Sequence, residues 1–296
     1  MINTVSPPIA TRTQEKSYTL EPAQTSVKFW GVRGSVPTPV LANQRYGGNT
    51  LCVEVLMGEQ RLIFDGGTGL VNLGQHLQQQ DGAVEAHIFF THTQWDRIQG
   101  FPFFQPAFNP TNHFTVYGGT APNGASIKHC LTDQMLQPHF ALPLQNMLAS
   151  LTFQTLMNRS ALQLGDISIK TLKINSETEA LGYRLSCQGY TLVYATDTPN
   201  EEYASEELLA LADQADLLIY DGTYSDLSYL HHPLADKPDL TQPWKVGANL
   251  ASRANVKKLV LAHHSPVQDD ASLDQLETEV RKRFANAVIA YEGLTL

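Results

Sequence analysis

The sequence predicts an α/β protein built as a four-layer αββα sandwich. Three observations lead there. Strand-like runs dominate the first half of the chain. Alternating strand and helix units follow, and then strands and helices again. The order divides into two halves, each reading as a sheet with helices to one side, which disfavours a doubly wound parallel sheet.

The elements follow from local pattern. Residues 27–32 alternate and are rich in β-formers, and 51–56 and 61–64 form two further strands around the turn signal Gly58-Glu59-Gln60. Asp65-Gly66-Gly67-Thr68-Gly69 is a tight loop that opens a helical pattern over 70–80. An apolar strand over 86–90 ends at Thr91-His92, and a polar loop or short helix follows over 94–100. Further strands are expected at 114–117, 151–156, 167–174, 182–186, 191–194, 217–220, 258–262 and 287–291. Helices are expected at 126–135, 206–213, 246–254 and 272–284. Residues 230–243, with three prolines and two adjacent histidines, read as a loop placed to overhang a site.

With 296 residues, 42% of them hydrophobic, the chain can bury a substantial core. The expected organisation is a tail over 1–25 and a single domain over 26–296. Charged residues are only 17%, which argues against long disordered or coiled-coil stretches. The net charge of −9, with no run of Lys or Arg, disfavours a nucleic-acid partner. The three cysteines, Cys52, Cys130 and Cys187, contain no CxxC pair, so neither a disulfide framework nor a cysteine zinc site is indicated. No signal peptide or span of ~20 apolar residues is present. A soluble cytoplasmic protein without a membrane partner is expected.

Acidic and imidazole side chains stand at the ends of apolar strands. These are His92, Asp197, Asp221 and the pair His263-His264. One such residue alone is usually a capping group. Several together indicate a crevice site.

The motifs around them resemble a known family. Thr91-His92-Thr93-Gln94-Trp95-Asp96-Arg97 resembles the T-H-x-H-x-D-H signature of the metallo-β-lactamase fold, and Asp65-Gly66-Gly67-Thr68-Gly69 resembles the turn that precedes it. Residues 29–37 and 45–50 are similar to the amino-terminal motifs of the branch that holds phosphodiesterases and the tRNA 3′-processing endonuclease. Tyr194-Ala195-Thr196-Asp197-Thr198 resembles the strand bearing the bridging aspartate, and Leu261-Ala262-His263-His264-Ser265-Pro266 resembles the last ligand motif.

The resemblance implies two zinc or manganese ions that share a hydroxide able to attack a phosphodiester or ester. Of the seven implied ligand positions, His92, Asp96, Asp197 and His263 carry ligands. Gln94, Arg97 and Ser176 stand where histidines belong. Arginine cannot ligate, and its charge repels a cation. In one reading Arg97 replaces the missing cation by pairing with Asp96, Asp197 or both, with Gln94 hydrogen-bonding on the other side. In the other reading Arg97 faces solvent and the site is simply eroded. The histidine that serves the leaving group in this branch has no counterpart in Leu240-Thr241-Gln242-Pro243-Trp244, although His231 and His232 lie nearby in sequence.

Asp96 and His263 are therefore the candidate catalytic residues, and Arg97, His231, His232 and His264 the candidate substrate contacts. The cofactor is none or one divalent ion, zinc or manganese. The expected function is that of a catalytically impaired or silent protein that binds a small-molecule or protein ligand, with homodimerisation open. The alternative is a phosphodiesterase-like hydrolase using one metal on Asp96, Asp197 and His263.

Overall fold

The computed structural model describes residues 25–199, 203–222 and 243–296. Strands β1 (Ser26–Gly31), β2 (Cys52–Met57), β3 (Gln60–Phe64), β4 (Glu85–Phe89), β5 (His113–Gly118) and β6 (Ser150–Thr155) form one sheet in chain order. Strands β7 (Ala161–Leu164), β8 (Ile167–Lys173), β9 (Leu181–Cys187), β10 (Tyr190–Ala195), β11 (Leu217–Asp221), β12 (Lys258–Ala262) and β13 (Ala287–Ile289) form the second.

Each sheet starts antiparallel and ends parallel. Pairing is antiparallel from β1 to β3 and from β7 to β10. It is parallel from β3 to β6 and from β10 to β13. The change comes where short turns give way to longer crossovers. Gly58-Glu59 closes the β2–β3 hairpin opposite the Met57–Gln60 pair, and Gly58 supplies the positive φ that such a turn requires.

The helices are α1 (Gly69–Gln78), α2 (Trp95–Ile98), α3 (Ile127–Asp133), α4 (Glu206–Ala212), α5 (Pro243–Arg253) and α6 (Asp270–Arg283). Leu70, Leu73 and Leu77 bury one stripe of α1. Side chains cap three helices at their starts. Ser126 accepts from the His129 N–H, Ser205 from the Leu208 N–H and Asp269 from the Ser272 N–H.

The sandwich follows from strand alternation. Phe64 faces the other sheet, its ring centroid 5.3 Å from Phe89 and 4.9 Å from Tyr194. Its neighbour Ile63 faces outward among Leu70, Leu73 and Leu131. On the second sheet, Val193, Leu218 and Leu259 pack under Leu208, Leu250 and Leu273 of α4, α5 and α6. The result is the expected helix, sheet, sheet, helix order.

Strand β7 is not expected from the sequence. It has four residues, half exposed, so its pattern carries little signal. Of the loop expected over 230–243, all but Pro243 lies outside the described residues, and Pro243 opens α5. Among the described residues no helix is long and apolar enough to cross a membrane.

The turn after β3 and the end of α2 approach at backbone distance. The Gly100 N–H donates to Gly66 O (2.8 Å), and the Gly66 N–H donates to Arg97 O (2.6 Å). A Cβ on Gly100 would lie 1.9 Å from Gly67 O. Gly100→Ala is therefore expected to cost about 2–4 kcal/mol in urea unfolding, because backbone and not a side chain has to move. A midpoint equal to wild type would show that the turn yields freely.

Candidate active site

Both sheets deliver polar groups at the carboxyl ends of their parallel strands. Asp65 follows β3, His92 lies beyond β4, Asp197 follows β10, Asp221 ends β11 and His263 follows β12. Asp65, Asp197 and His263 hold positive φ values of 60°, 70° and 59°. Left-handed backbone at non-glycine residues is uncommon and gathers at functional sites.

Arg97 lies at the centre, 0% exposed. Its Nη1 donates to Asp65 Oδ2 (2.9 Å) and Thr196 Oγ1 (3.0 Å). Its Nε lies 3.1 Å from Asp96 Oδ2, an ion contact outside hydrogen-bond alignment. Burial acts to lower the Arg97 pKa, but the charges of Asp96 and Asp65 outweigh it and raise the value. The solvent-facing reading of Arg97 is overturned. The expected pairing with Asp96 is present, but the second carboxylate is Asp65 and not Asp197. The reason is that Asp65 turns inward at the end of β3, where its Oδ1 accepts from the Thr91 N–H and hydroxyl and its Oδ2 from the Tyr194 hydroxyl.

His263 stands between two buried carboxylates. Its Nε2 lies 3.2 Å from Asp96 Oδ2 and its Nδ1 3.2 Å from Asp221 Oδ1. Burial and the Arg97 charge push its pKa down. The hydrogen bonds to Asp221 and Asp96, and the Asp96 charge, lift it to about 9. Burial would raise the Asp96 carboxyl. Arg97 first and His263 second hold it well below the usual carboxylate range. Asp221 also accepts from the Asp197 and Thr198 N–H groups and the Thr198 hydroxyl.

His92 and Asp197 make up the other half of the site. His92 Nε2 lies 2.9 Å from Gln94 Oε1 and 3.8 Å from Asp197 Oδ2. Asp197 Oδ2 accepts from the Thr178 hydroxyl and from Asn175 Nδ2.

Two expected placements are corrected. Ser176 is exposed, because Asn175 Oδ1 accepts the Glu177 N–H and turns the chain there, so Asn175 and Thr178 reach Asp197 instead. His264 is not a substrate contact. It is buried, with Nε2 donating to Ala290 O (2.8 Å) and its ring edge-on to Tyr46. Burial holds its pKa down at about 3. His231 and His232 lie outside the described residues. Asp65, Thr196 and Thr178 were not expected as site residues, and of these only Asp65 had a signal, its place in the Asp-Gly-Gly turn.

The residues present do not fit a two-metal centre. Both His263 nitrogens face carboxylates at 3.2 Å, and the Arg97 guanidinium, at an implied ligand position, has no lone pair to offer a metal. Asp96 Oδ2 is shared by two cations. Among the described residues, no group of three or more His, Cys, Asp or Glu is placed to hold a metal ion.

Architecture and strand-end carboxylates together define a protein of metallo-β-lactamase fold. Residues 60–264 match the family described as the Beta-lactamase superfamily domain, and the chain belongs to that family. Ribonuclease Z of Clostridium perfringens is 31% identical over 106 residues, which cover 36% of this chain and 31% of that protein. Ribonuclease Z of Synechocystis is 34% identical over 112 residues, which cover 36% of this chain and 32% of that protein. The match thus spans about a third of each relative. The Bacillus subtilis metallo-β-lactamase-fold protein YhfI superposes with a TM-score of 0.65 at 18% identity, covering 92% of this chain and 98% of that one. A diphosphatase of the PhnP family gives 0.64 at 17% identity, covering 92% and 97%. Human short-form tRNase Z gives 0.60 at 15%, covering 92% and 98%. These superpositions establish the fold.

The two adjacent histidines give opposite pH dependences. His263 has a raised pKa, so its stabilisation is complete below about pH 6.5 and is lost as pH climbs through about 9. His264 has a lowered pKa, so its contribution is complete above about pH 6.5 and is lost as pH falls toward about 3. Thermal unfolding across pH 4–10 should show loss on both sides, with His263→Gln flattening the alkaline limb and His264→Gln the acid limb. An alkaline limb unchanged in His263→Gln would refute the charged assignment.

Proposed function

We propose that this member of the hydrolase family does not run two-metal hydrolysis and acts as a binding or regulatory protein for a small-molecule or protein ligand. The observation that carries this reading is His263, whose two nitrogens both face buried carboxylates at 3.2 Å. A histidine protonated at both nitrogens is neither a ligand nor a general base. Gln94 at hydrogen-bond distance from His92, and Arg97 against Asp96, support the same reading.

A second reading is a hydrolase using one divalent ion on Asp96, Asp197 and His263. Two observations favour it. Asp96 Oδ1 and Asp197 Oδ1 are buried without a hydrogen-bond partner. The similarity to ribonuclease Z and to a diphosphatase of the PhnP family points to phosphoryl chemistry. This reading requires His263 to lose a proton and release Asp96. RNA is disfavoured as a substrate by the net charge of −9.

The two readings separate on metal content, measured on protein purified without added metal and again after zinc or manganese loading, alongside turnover of bis(4-nitrophenyl) phosphate. The expected result is substoichiometric metal in both preparations and no turnover above buffer. One metal per chain with turnover that Asp197→Asn abolishes would establish the hydrolase instead.

A further inference from the structure

We propose that the free edge of strand β6 is a homodimer interface, on which a second copy of this chain adds its own β6 antiparallel about a two-fold axis at Phe153. Hydrogen-bond parity defines the edge. The Ser150 N–H donates to Asn112 O (3.0 Å) and the Leu156 N–H to Gly118 O (2.9 Å), so the even-numbered residues of β6 turn their backbone groups toward β5. The N–H and C=O groups of Leu151, Phe153 and Thr155 therefore point the other way. β6 is the terminal strand of its sheet, and among the described residues no strand pairs with that side. The inference is independent of whether the site at Arg97 holds a metal.

Sheet edges are ordinarily kept short, charged, interrupted by proline or covered. The β1 edge is covered, because Val27 and Leu296 exchange backbone hydrogen bonds. The β13 and β7 strands have three and four residues. Strand β6 has six, and residues 145–158 contain no Asp, Glu, Lys, Arg or Pro. Leu148 and Met157, 62% and 71% exposed, stand beyond its two ends. Lys128 of α3 lies over the Phe153 ring, 5.6 Å from the centroid, which engages its charge on the helix side of the sheet.

Charge and register select a second copy as the occupant. Copies that each carry a net charge of −9 repel, and an uncharged strand is where two of them can meet. Setting Phe153 opposite Phe153 puts Leu151 of each copy opposite Thr155 of the other, so every outward-pointing residue of both edges finds a hydrogen-bonding partner at once. A shift of the register leaves outward groups unpaired at both ends. In the two-fold register, Thr152 of one copy faces Gln154 of the other, and both side chains are exposed in the single chain. The contact is isologous and uses up both edges, so assembly closes at the dimer. An edge pairing is a small interface, and its affinity is expected in the micromolar range.

Sedimentation velocity on the full chain, over about a hundredfold range of concentration through the micromolar, tests this. Wild type is expected to pass from monomer to dimer. Thr155→Pro removes an outward N–H and leaves the β5–β6 ladder intact, so it should stay monomeric and melt close to wild type. Thr152→Lys combined with Gln154→Lys sets like charges opposite each other and should weaken dimerisation by about tenfold or more. Thr152→Glu combined with Gln154→Glu should do the same, and mixing the two double variants should restore a heterodimer. Both positions are exposed, so these variants decide the matter should Thr155→Pro fail to fold. Wild type that is monomeric throughout would overturn the proposal and leave the edge to a strand of another protein. A wild-type dimer that Thr155→Pro and both double variants leave intact would overturn it by placing the interface elsewhere. Folded double variants whose mixture stays monomeric would overturn the two-fold register at Phe153.

Discussion

The buried contact of Arg97 with Asp65 and Asp96 is the constraint around which the site is arranged. A charge taken out of water costs several kcal/mol unless partners compensate it closely. That demand holds the turn after β3 and the short helix α2 together. Asp65 receives four hydrogen bonds, from Thr91 twice, Arg97 and Tyr194, and Gly100 lets the two backbones touch. Thr196, just beyond β10, brings in the second sheet. His263 continues the alternation of charge from Asp96 to Asp221. Asp65, Arg97, Asp96, His263 and Asp221 thus form one buried series of alternating sign across the seam between the sheets.

This arrangement shows why family membership and chemistry are separate questions. The family match and the superpositions account for the layers, the two sheets and the convergence of strand ends. What a strand end can do depends on where its lone pairs and protons are. A neutral imidazole at 263 would have a lone pair free for a metal. An imidazolium between two carboxylates has none. The carboxylates of the fold persist while their partners are guanidinium, imidazole, hydroxyl and amide groups.

Much of the architecture was legible in local pattern. The apolar runs before His92, Asp197, Asp221 and His263 identified four strands, though not their parallel pairing, and the Gly58-Glu59 turn identified the hairpin. Strand β7 was not legible, because four half-exposed residues alternate too briefly to stand out. At the site, the sequence located Arg97 and one of its partners. The Asp65 partner was hidden because the two are 32 positions apart and meet only through parallel pairing of β3 and β4. Ser176 and His264 went astray for a similar reason. A local turn at Asn175 points one outward, and the carbonyl of Ala290 beyond β13 draws the other into the core.

By itself the sequence determined the order of elements, the layers they form and the residue types at the strand ends. Hydrophobic periodicity and turn chemistry act over a few residues and can be read along the chain. Only the tertiary structure decided which carboxylate neutralises Arg97, that both nitrogens of His263 face carboxylates and that His264 belongs to the core. Those outcomes depend on distances between groups remote in sequence and on the exclusion of water around them. Burial and Coulomb attraction fix both only after the two sheets have closed.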